Sequence, residues 1–159
     1  MKNLYNSYIY KFDIPVSSYW EDISSEKLNF KKLTQDTNSE IVVIGGGYTG
    51  LLCAINLIEK HNLDVILVEA GKIGWGASSR NAGFNCLPPS KMSFKKMQSI
   101  YGVEETKRFF KNSVAGSNYT RDIIKEFNSD CDVTGESNYV VAHHKSKFEK
   151  IKEHAEIYK

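Results

Sequence analysis

Residues 41–69 decide the fold, and they read IVVIGGGYTGLLCAINLIEKHNLDVILVE. The run Ile41–Ile44 is apolar and β-branched, which is typical of a strand buried on both faces of a parallel sheet. Apolar residues at helical spacing predict a helix over Leu51–His61, and Asp64–Glu69 is predicted to be a second buried strand. These elements form a β–α–β unit of about 30 residues, whose right-handed crossover joins two parallel strands.

The turn after the first strand carries the spacing Gly45-x-Gly47-x-x-Gly50. This spacing is a dinucleotide-binding fingerprint: the first glycine allows a tight turn, the second allows close approach to a pyrophosphate, and the third allows close helix–strand packing. The pyrophosphate would lie at the helix N-terminus, where free N–H groups and the helix dipole favour negative charge. Tyr48 and Thr49 stand at this helix start and belong to the same candidate site.

Glu69 ends the second strand at the place where dinucleotide-binding units carry an acidic residue. Its carboxylate can accept hydrogen bonds from both ribose hydroxyls, and it disfavours a 2′-phosphate, so NADP is the least expected dinucleotide. Ala70 follows it and is included in the candidate site. The alternative is a parallel α/β unit with a glycine-rich turn and no ligand.

A second glycine- and serine-rich loop bears on the choice between FAD and NAD. Residues 74–84 read GWGASSRNAGF, so the loop is built of small residues, hydroxyls and one arginine. Such a loop can lie flat against a long ligand and donate many hydrogen bonds. An NAD-binding unit has no need of it, so the loop favours FAD, with a solvent-exposed loop as the alternative interpretation.

Three segments together resemble the FAD-dependent D-amino acid oxidase family, in particular its glycine, sarcosine and γ-glutamylputrescine oxidoreductase branch. These segments are Ile41–Gly50, Val68–Gly71 and Gly76–Gly83. The aromatic stretch Ser17–Asp22 and the segment Cys131–Ser137 also resemble that branch, although they carry no specific motif. The resemblance implies an α/β fold, with a Rossmann-like FAD-binding βαβ unit followed by a mainly helical segment.

The resemblance also implies a role for each position of the candidate cofactor site. The glycines of the fingerprint would cradle the FAD pyrophosphate, and Glu69 would hold the adenosine ribose. Ser78, Ser79 and Arg80 would line the phosphate and ribitol region, and the backbone of residues 81–83 would approach the isoalloxazine ring. The candidate cofactor-binding residues are Gly45, Gly47, Tyr48, Thr49, Gly50, Glu69, Ala70, Ser78, Ser79, Arg80, Asn81, Ala82 and Gly83.

The implied activity is oxidation of the C–N bond of an amine or amino acid by hydride transfer to flavin. The imine product is hydrolysed by water, and oxygen or another acceptor reoxidises the flavin. No catalytic side chain can be named, because the family's substrate-binding groups lie mostly in a part with no counterpart here. An NAD-dependent Rossmann oxidoreductase and a catalytically inactive nucleotide-binding fragment remain as alternatives.

Relatives in that family continue with a large antiparallel substrate-binding sheet that these 159 residues lack. The fold is therefore expected to be incomplete relative to the two-domain family fold, as its N-terminal portion. We expect the isolated chain to be inactive, with the remainder of the enzyme as a continuation or a separate chain.

The chain divides by composition into three parts. Residues 1–40 form an irregular aromatic arm and linker, residues 41–90 the FAD-binding unit with its flavin-contacting loop, and residues 91–159 a helical segment leading into a truncated substrate domain. The arm carries too many aromatic residues to extend into water, so it is expected to pack on something. In the last part, helices are predicted over 91–101, 103–127 and 145–158, with a strand over 137–142 and an interruption at Gly116.

Composition excludes several function classes. Lys and Arg number 21 against 19 acidic residues, so a net charge of +2 gives no electrostatic case for nucleic acid. No apolar run approaches the roughly 18 residues of a membrane span, and no secretory signal is evident. The three cysteines lack a CxxC pair, so a reducing cytoplasm is expected and a metal site is not; Cys53 is expected to be a small core residue.

Overall fold

The structure is a computed structural model, and it describes residues 4–15, 17–24, 28–87, 91–135, 137 and 139–157. The chain forms two compact units, Met1–Gly83 and Phe84–Lys159. The first unit contains the glycine-rich turn and a small sheet, and the second is built from helices.

The sequence predicted an irregular arm at the start of the first unit, but the arm is not irregular throughout. It contains a 3₁₀ turn at Ser7–Tyr10 and a short helix, α1 (Tyr19–Ile23). The side chain of Ser18 caps α1 by accepting a hydrogen bond from the backbone N–H of Glu21, at 3.1 Å. This local cap explains why a helical turn forms in a stretch that lacks a sustained apolar period.

The sheet of the first unit contains the two predicted strands, β1 (Ile41–Ile44) and β2 (Val65–Val68). They are parallel, with Ile41 opposite Val65 and Ile44 opposite Val68. The predicted β–α–β unit is confirmed, and its β2 is shorter at both ends than the predicted strand. A parallel pair needs a crossover, and the helix between the strands supplies it.

The crossover helix is α2 (Tyr48–His61), which begins three residues earlier than predicted, directly after the glycines. Its inner face packs on the sheet, and Ala54 is buried there. Asn62 ends the helix in the left-handed conformation, at φ 52°, and its N–H donates to the carbonyl oxygen of Ile58 at 2.9 Å. Asparagine tolerates this conformation better than most residues, so the chain can turn back into β2.

The expectation that both strands are buried on both faces is wrong for β1. Its residues alternate in exposure: Ile41 and Val43 are half-buried, whereas Val42 is 55% and Ile44 86% exposed. The physical reason is that α2 packs on one face of the pair, and the described part of the chain adds no third strand to the sheet.

The second unit consists of α3 (Phe94–Tyr101), α4 (Val103–Glu126) and α5 (Phe148–Ile157). Phe94 and Met97 of α3 are buried, and Phe94 packs edge-to-face on Phe110 of α4 with ring centroids 5.0 Å apart. The predicted interruption at Gly116 is wrong: α4 runs through it, and a Cβ there would meet no atom within 4 Å.

The strand predicted over 137–142 is also wrong for its described residues. Residues 137 and 139–142 adopt no regular structure, and Tyr139 is 90% exposed. A β-branched apolar run forms a strand only where another strand pairs with it, and none of the described residues does so. The last helix, predicted over 145–158, is preceded by a 3₁₀ turn at Lys145–Lys147. Residues 88–90 of the predicted loop and Tyr158 lie outside the described residues.

Candidate functional site

The glycine-rich turn joins the end of β1 to the start of α2 within three residues. Gly45 has φ +107°, a conformation that residues with a Cβ rarely adopt. Its N–H donates to the carbonyl oxygen of Val68 at 2.8 Å. A Cβ on Gly50 would overlap the carbonyl oxygen of Gly45 and contact Val43. The helix start can therefore lie directly against the turn only because Gly50 has no side chain.

The N-terminus of α2 is arranged to receive negative charge. The N-cap residue is Gly47, which brings no side chain to satisfy the first N–H groups of the helix. The first turn carries no acidic residue, whereas Lys60 and His61 lie in the last turn. Without a side-chain cap or an acidic residue, the helix's own side chains do not compensate the positive end of the helix dipole at the turn. This favours an anion there.

A second loop contacts this helix start through Ser78. The hydroxyl oxygen of Ser78 accepts a hydrogen bond from the backbone N–H of Tyr48 at 3.0 Å, across 30 residues of sequence. A Cβ on Gly47 would lie 2.8 Å from the same oxygen, so the two backbones approach closely. The loop after β2 is thus held against the glycine-rich turn.

A cavity of about 370 Å³ opens between these groups. The residues that line it are Val43, Ile44, Gly45, Gly47, Tyr48, Thr49, Gly50, Cys53 and Ser78. Six of the candidate site residues meet here, since the five at the turn are joined by Ser78. The candidates Glu69, Ala70, Ser79 and residues 80–83 do not line this cavity.

Cys53 is exposed and lines the cavity, so its expected place in the core is wrong. The outer face of α2 has no covering layer among the described residues, which leaves the thiol open. Cys53 follows Thr49 by four residues, and residues at this spacing share a helix face. That spacing was a signal in the sequence that would have placed Cys53 beside the glycine-rich turn.

Glu69 lies just beyond β2, half-buried beside the same turn. Its two carboxylate oxygens accept hydrogen bonds from different backbone amides: Gly46 N–H at 2.6 Å and Gly71 N–H at 2.9 Å. The carboxylate thereby ties the turn after β1 to the chain after β2. Each oxygen has a further lone-pair site, so the group can still accept hydrogen bonds from a ligand.

The rest of the loop is organised by Asn81. Residues Ala77–Ser79 form a 3₁₀ turn, and the side-chain amide of Asn81 donates to the carbonyl oxygens of Ala77 and Ser78 at 3.2 and 2.9 Å. Its side-chain oxygen accepts from Gly83 N–H at 2.8 Å. The Arg80 guanidinium lies over the Trp75 ring, 4.3 Å from its centroid, so it points to an aromatic side chain and not into the cavity.

Comparison with known proteins decides the family. The model of the family described as FAD dependent oxidoreductase (DAO) matches residues 40–159, which is most of the chain. This protein belongs to the DAO family of FAD-dependent oxidoreductases. The family's cofactor is FAD, so the resemblance inferred from the fingerprint and the second loop is confirmed, and NAD is not retained as the cofactor.

Individual relatives agree with this assignment of the chain to the DAO family. The chain is 32% identical to gamma-glutamylputrescine oxidoreductase of Escherichia coli K12 over 116 residues, which are 73% of this chain and 27% of that protein. It is 40% identical over 68 residues to the probable oxidoreductase OrdL of Haemophilus influenzae, covering 43% of this chain and 16% of the relative. The DAO-family chain therefore spans about a quarter or less of the length of these relatives. No solved structure matches it significantly.

The described part of this DAO-family chain lacks two other kinds of feature. It contains no group of three or more His, Cys, Asp or Glu side chains arranged to hold a metal ion. Its helices are all too short or too polar to cross a membrane.

Proposed function

We propose that the protein oxidises the C–N bond of an amine or amino acid, with FAD held at the glycine-rich turn. Flavin supplies the acceptor for the hydride, and water hydrolyses the resulting imine to a carbonyl compound and the free amine or ammonia. The observation that carries the proposal is the contact between the Ser78 hydroxyl and the Tyr48 amide, because it joins the dinucleotide fingerprint to a second loop.

The chemistry of the turn fits a pyrophosphate. Gly47 leaves the helix start without a side-chain cap, and Gly45 and Gly50 keep its backbone free of side chains. Ser78 adds a hydroxyl that can rotate to donate to a phosphate oxygen. Thr49 would contribute its backbone N–H from the first helical turn, which is the usual anion-binding element of such units, and Tyr48 would hold the Ser78 hydroxyl beside the phosphate through its own N–H.

The adenosine ribose would bind at Glu69, with Ala70 beside it. The carboxylate already accepts two backbone N–H groups, and this fixes its orientation before any ligand arrives. Its remaining lone pairs can accept from the two ribose hydroxyls. A preset carboxylate loses little conformational freedom on binding, which favours affinity.

The loop residues Ser79–Gly83 would follow the rest of the cofactor toward the flavin ring. Gly83 is exposed and has φ +73°, so the loop backbone turns there at the end that would approach the flavin ring. Ser79, Arg80, Asn81 and Ala82 would supply hydroxyl, guanidinium and backbone donors. The role of the chain is to hold and orient the flavin, since no substrate-binding side chain is assigned.

The substrate class rests on the relatives. The gamma-glutamylputrescine oxidoreductase of Escherichia coli is named for an amine-containing compound, and this chain matches about a quarter of it. An amine or amino acid is therefore the substrate we propose. We also propose a cytoplasmic location, supported by three free thiols, none of which forms a disulfide in the structure.

The reaction is tested on this chain together with any remainder of the enzyme, purified from its natural host with FAD in place, by anaerobic mixing with a panel of amines and amino acids. We expect one class to bleach the flavin absorbance, with one carbonyl product formed per flavin reduced. Alcohols and hydroxy acids of matched size serve as controls. Bleaching by a hydroxy acid alone would contradict C–N oxidation, and no bleaching by any compound would favour a nucleotide-binding protein without catalysis.

A further inference from the structure

Aromatic, ionic and hydrogen-bonding contacts join the arm (residues 4–15 and 17–24) to the post-β2 loop (residues 71–83). Phe12 packs edge-to-face on Trp75 with ring centroids 5.0 Å apart. Glu21 and Lys72 form an ion pair at 3.2 Å. The Trp75 indole N–H donates to the carbonyl oxygen of Ile14 at 3.5 Å, and Trp20 makes a further contact. The arm that supplies these contacts precedes the part of the chain matched by the family, which begins at residue 40.

Trp20 makes the contact nearest the proposed flavin-binding end of the loop. Its indole N–H donates to the carbonyl oxygen of Asn81 at 2.7 Å. Its six-membered ring lies over Gly83, where a Cβ would approach two ring carbons to 2.6 and 2.9 Å. Because Gly83 also has φ +73°, both its conformation and its neighbour require glycine. The loop backbone therefore lies directly against the indole.

Asn81 connects this contact to the glycine-rich turn. Its side-chain amide donates to the carbonyl oxygen of Ser78 at 2.9 Å, and the Ser78 hydroxyl accepts from Tyr48 N–H at 3.0 Å. Hydrogen bonds thus run from the arm through the loop to the start of α2. A change at Trp20 can reach the helix start without any direct contact between them.

We propose that Trp20 is a positioning residue that fixes the post-β2 loop in the conformation that receives FAD. This inference rests on the proposed binding of FAD at the turn and loop. A loop rich in glycine, alanine and serine has many accessible conformations, and ordering it on binding lowers affinity. Trp20 restrains this loop at two points before the cofactor binds: the backbone carbonyl of Asn81 and the exposed Gly83.

The test compares Trp20→Phe, which keeps an aromatic ring but loses the N–H donor, with Trp20→Ala, which loses both. Phe30→Ala is the matched control, because it also removes an aromatic side chain before β1 but from a position that is 66% exposed. Each variant is digested briefly with trypsin without FAD, and cleavage after the exposed Arg80 is followed by mass spectrometry. Each is then titrated with FAD, and visible circular dichroism of the bound flavin is recorded.

Loss of one hydrogen bond predicts cleavage about two- to ten-fold faster in Trp20→Phe, with a larger increase in Trp20→Ala. FAD affinity falls in the same order, the flavin dichroism changes, and Phe30→Ala matches wild type throughout. Unchanged cleavage in both Trp20 variants overturns the inference. Faster cleavage with wild-type FAD affinity also overturns it, while FAD binding by the turn stands. If wild type binds no FAD, the proposed function fails and this inference with it.

Discussion

Two glycines of the same chain predict opposite effects of one substitution. Alanine is more favourable than glycine inside a helix by about 0.5–1 kcal/mol. At Gly116 a new Cβ meets nothing within 4 Å, so Gly116→Ala should stabilise α4 by about this amount. At Gly50 the new Cβ overlaps the Gly45 carbonyl oxygen, which belongs to backbone and cannot rotate away.

The magnitude at Gly50 follows from the difference of the two effects. Overpacking costs about 1–3 kcal/mol, and the gain in helix propensity of about 0.5–1 kcal/mol offsets only part of that cost. Because the overlap is with backbone, the upper end of the overpacking range applies. Gly50→Ala should therefore destabilise α2 by about 2 kcal/mol and weaken FAD binding, while Gly116→Ala leaves FAD binding unchanged.

Hydrogen–deuterium exchange measures the two helices separately, because peptides from α2 and α4 are resolved by mass spectrometry. We expect faster exchange in α2 for Gly50→Ala and slower exchange in α4 for Gly116→Ala. A Gly50→Ala variant with unchanged exchange in α2 and unchanged FAD affinity would refute the close packing of helix start and turn.

Two further predictions concern Glu69 and Cys53. Glu69→Gln should lower the free energy of unfolding by about 1.5 kcal/mol, the lower end for charged hydrogen bonds, because one of its two amide partners would face an NH₂ group. Glu40→Gln, where one exposed oxygen accepts one amide, should cost less than about 0.5 kcal/mol, and equal losses in urea unfolding would contradict this. FAD at ten times its Kd should slow alkylation of Cys53 about ten-fold by mass action without protecting Cys131. Equal protection of both thiols would place FAD elsewhere.

The local parts of the fold could be predicted from the sequence. The glycine spacing dictates a turn that only residues without side chains can adopt, and Gly45 and Gly50 have the geometry that this requires. The apolar period of α2 likewise predicts a helix after the turn. These features depend on neighbours within a few residues, which the sequence specifies directly.

Three of the failures concern interactions between distant residues. The run at 139–142 has the composition of a strand, but pairing requires a partner that its own residues cannot specify. Burial of Val42 and Ile44 depends in the same way on a layer over that face of the sheet. The expected core position of Cys53 failed because helical periodicity shows which residues share a face and does not show which face is covered.

The site was predictable only in part, for a related reason. The sequence indicated the turn and the loop as separate cofactor-contacting segments, and the fold joins them through Ser78 and Tyr48. The contact of Trp20 with Asn81 spans 61 residues and has no periodic or motif signal. The assignments of individual residues to parts of FAD stay predictions.

Equilibrium titration of the chain with FAD, followed by quenching of flavin fluorescence, tests the central claim most directly. We predict saturable binding of one FAD per chain, weakened by Gly50→Ala and not displaced by an equal concentration of NAD. Absence of saturable binding, or displacement of FAD by an equal concentration of NAD, would contradict the assignment of the glycine-rich turn and its second loop to FAD.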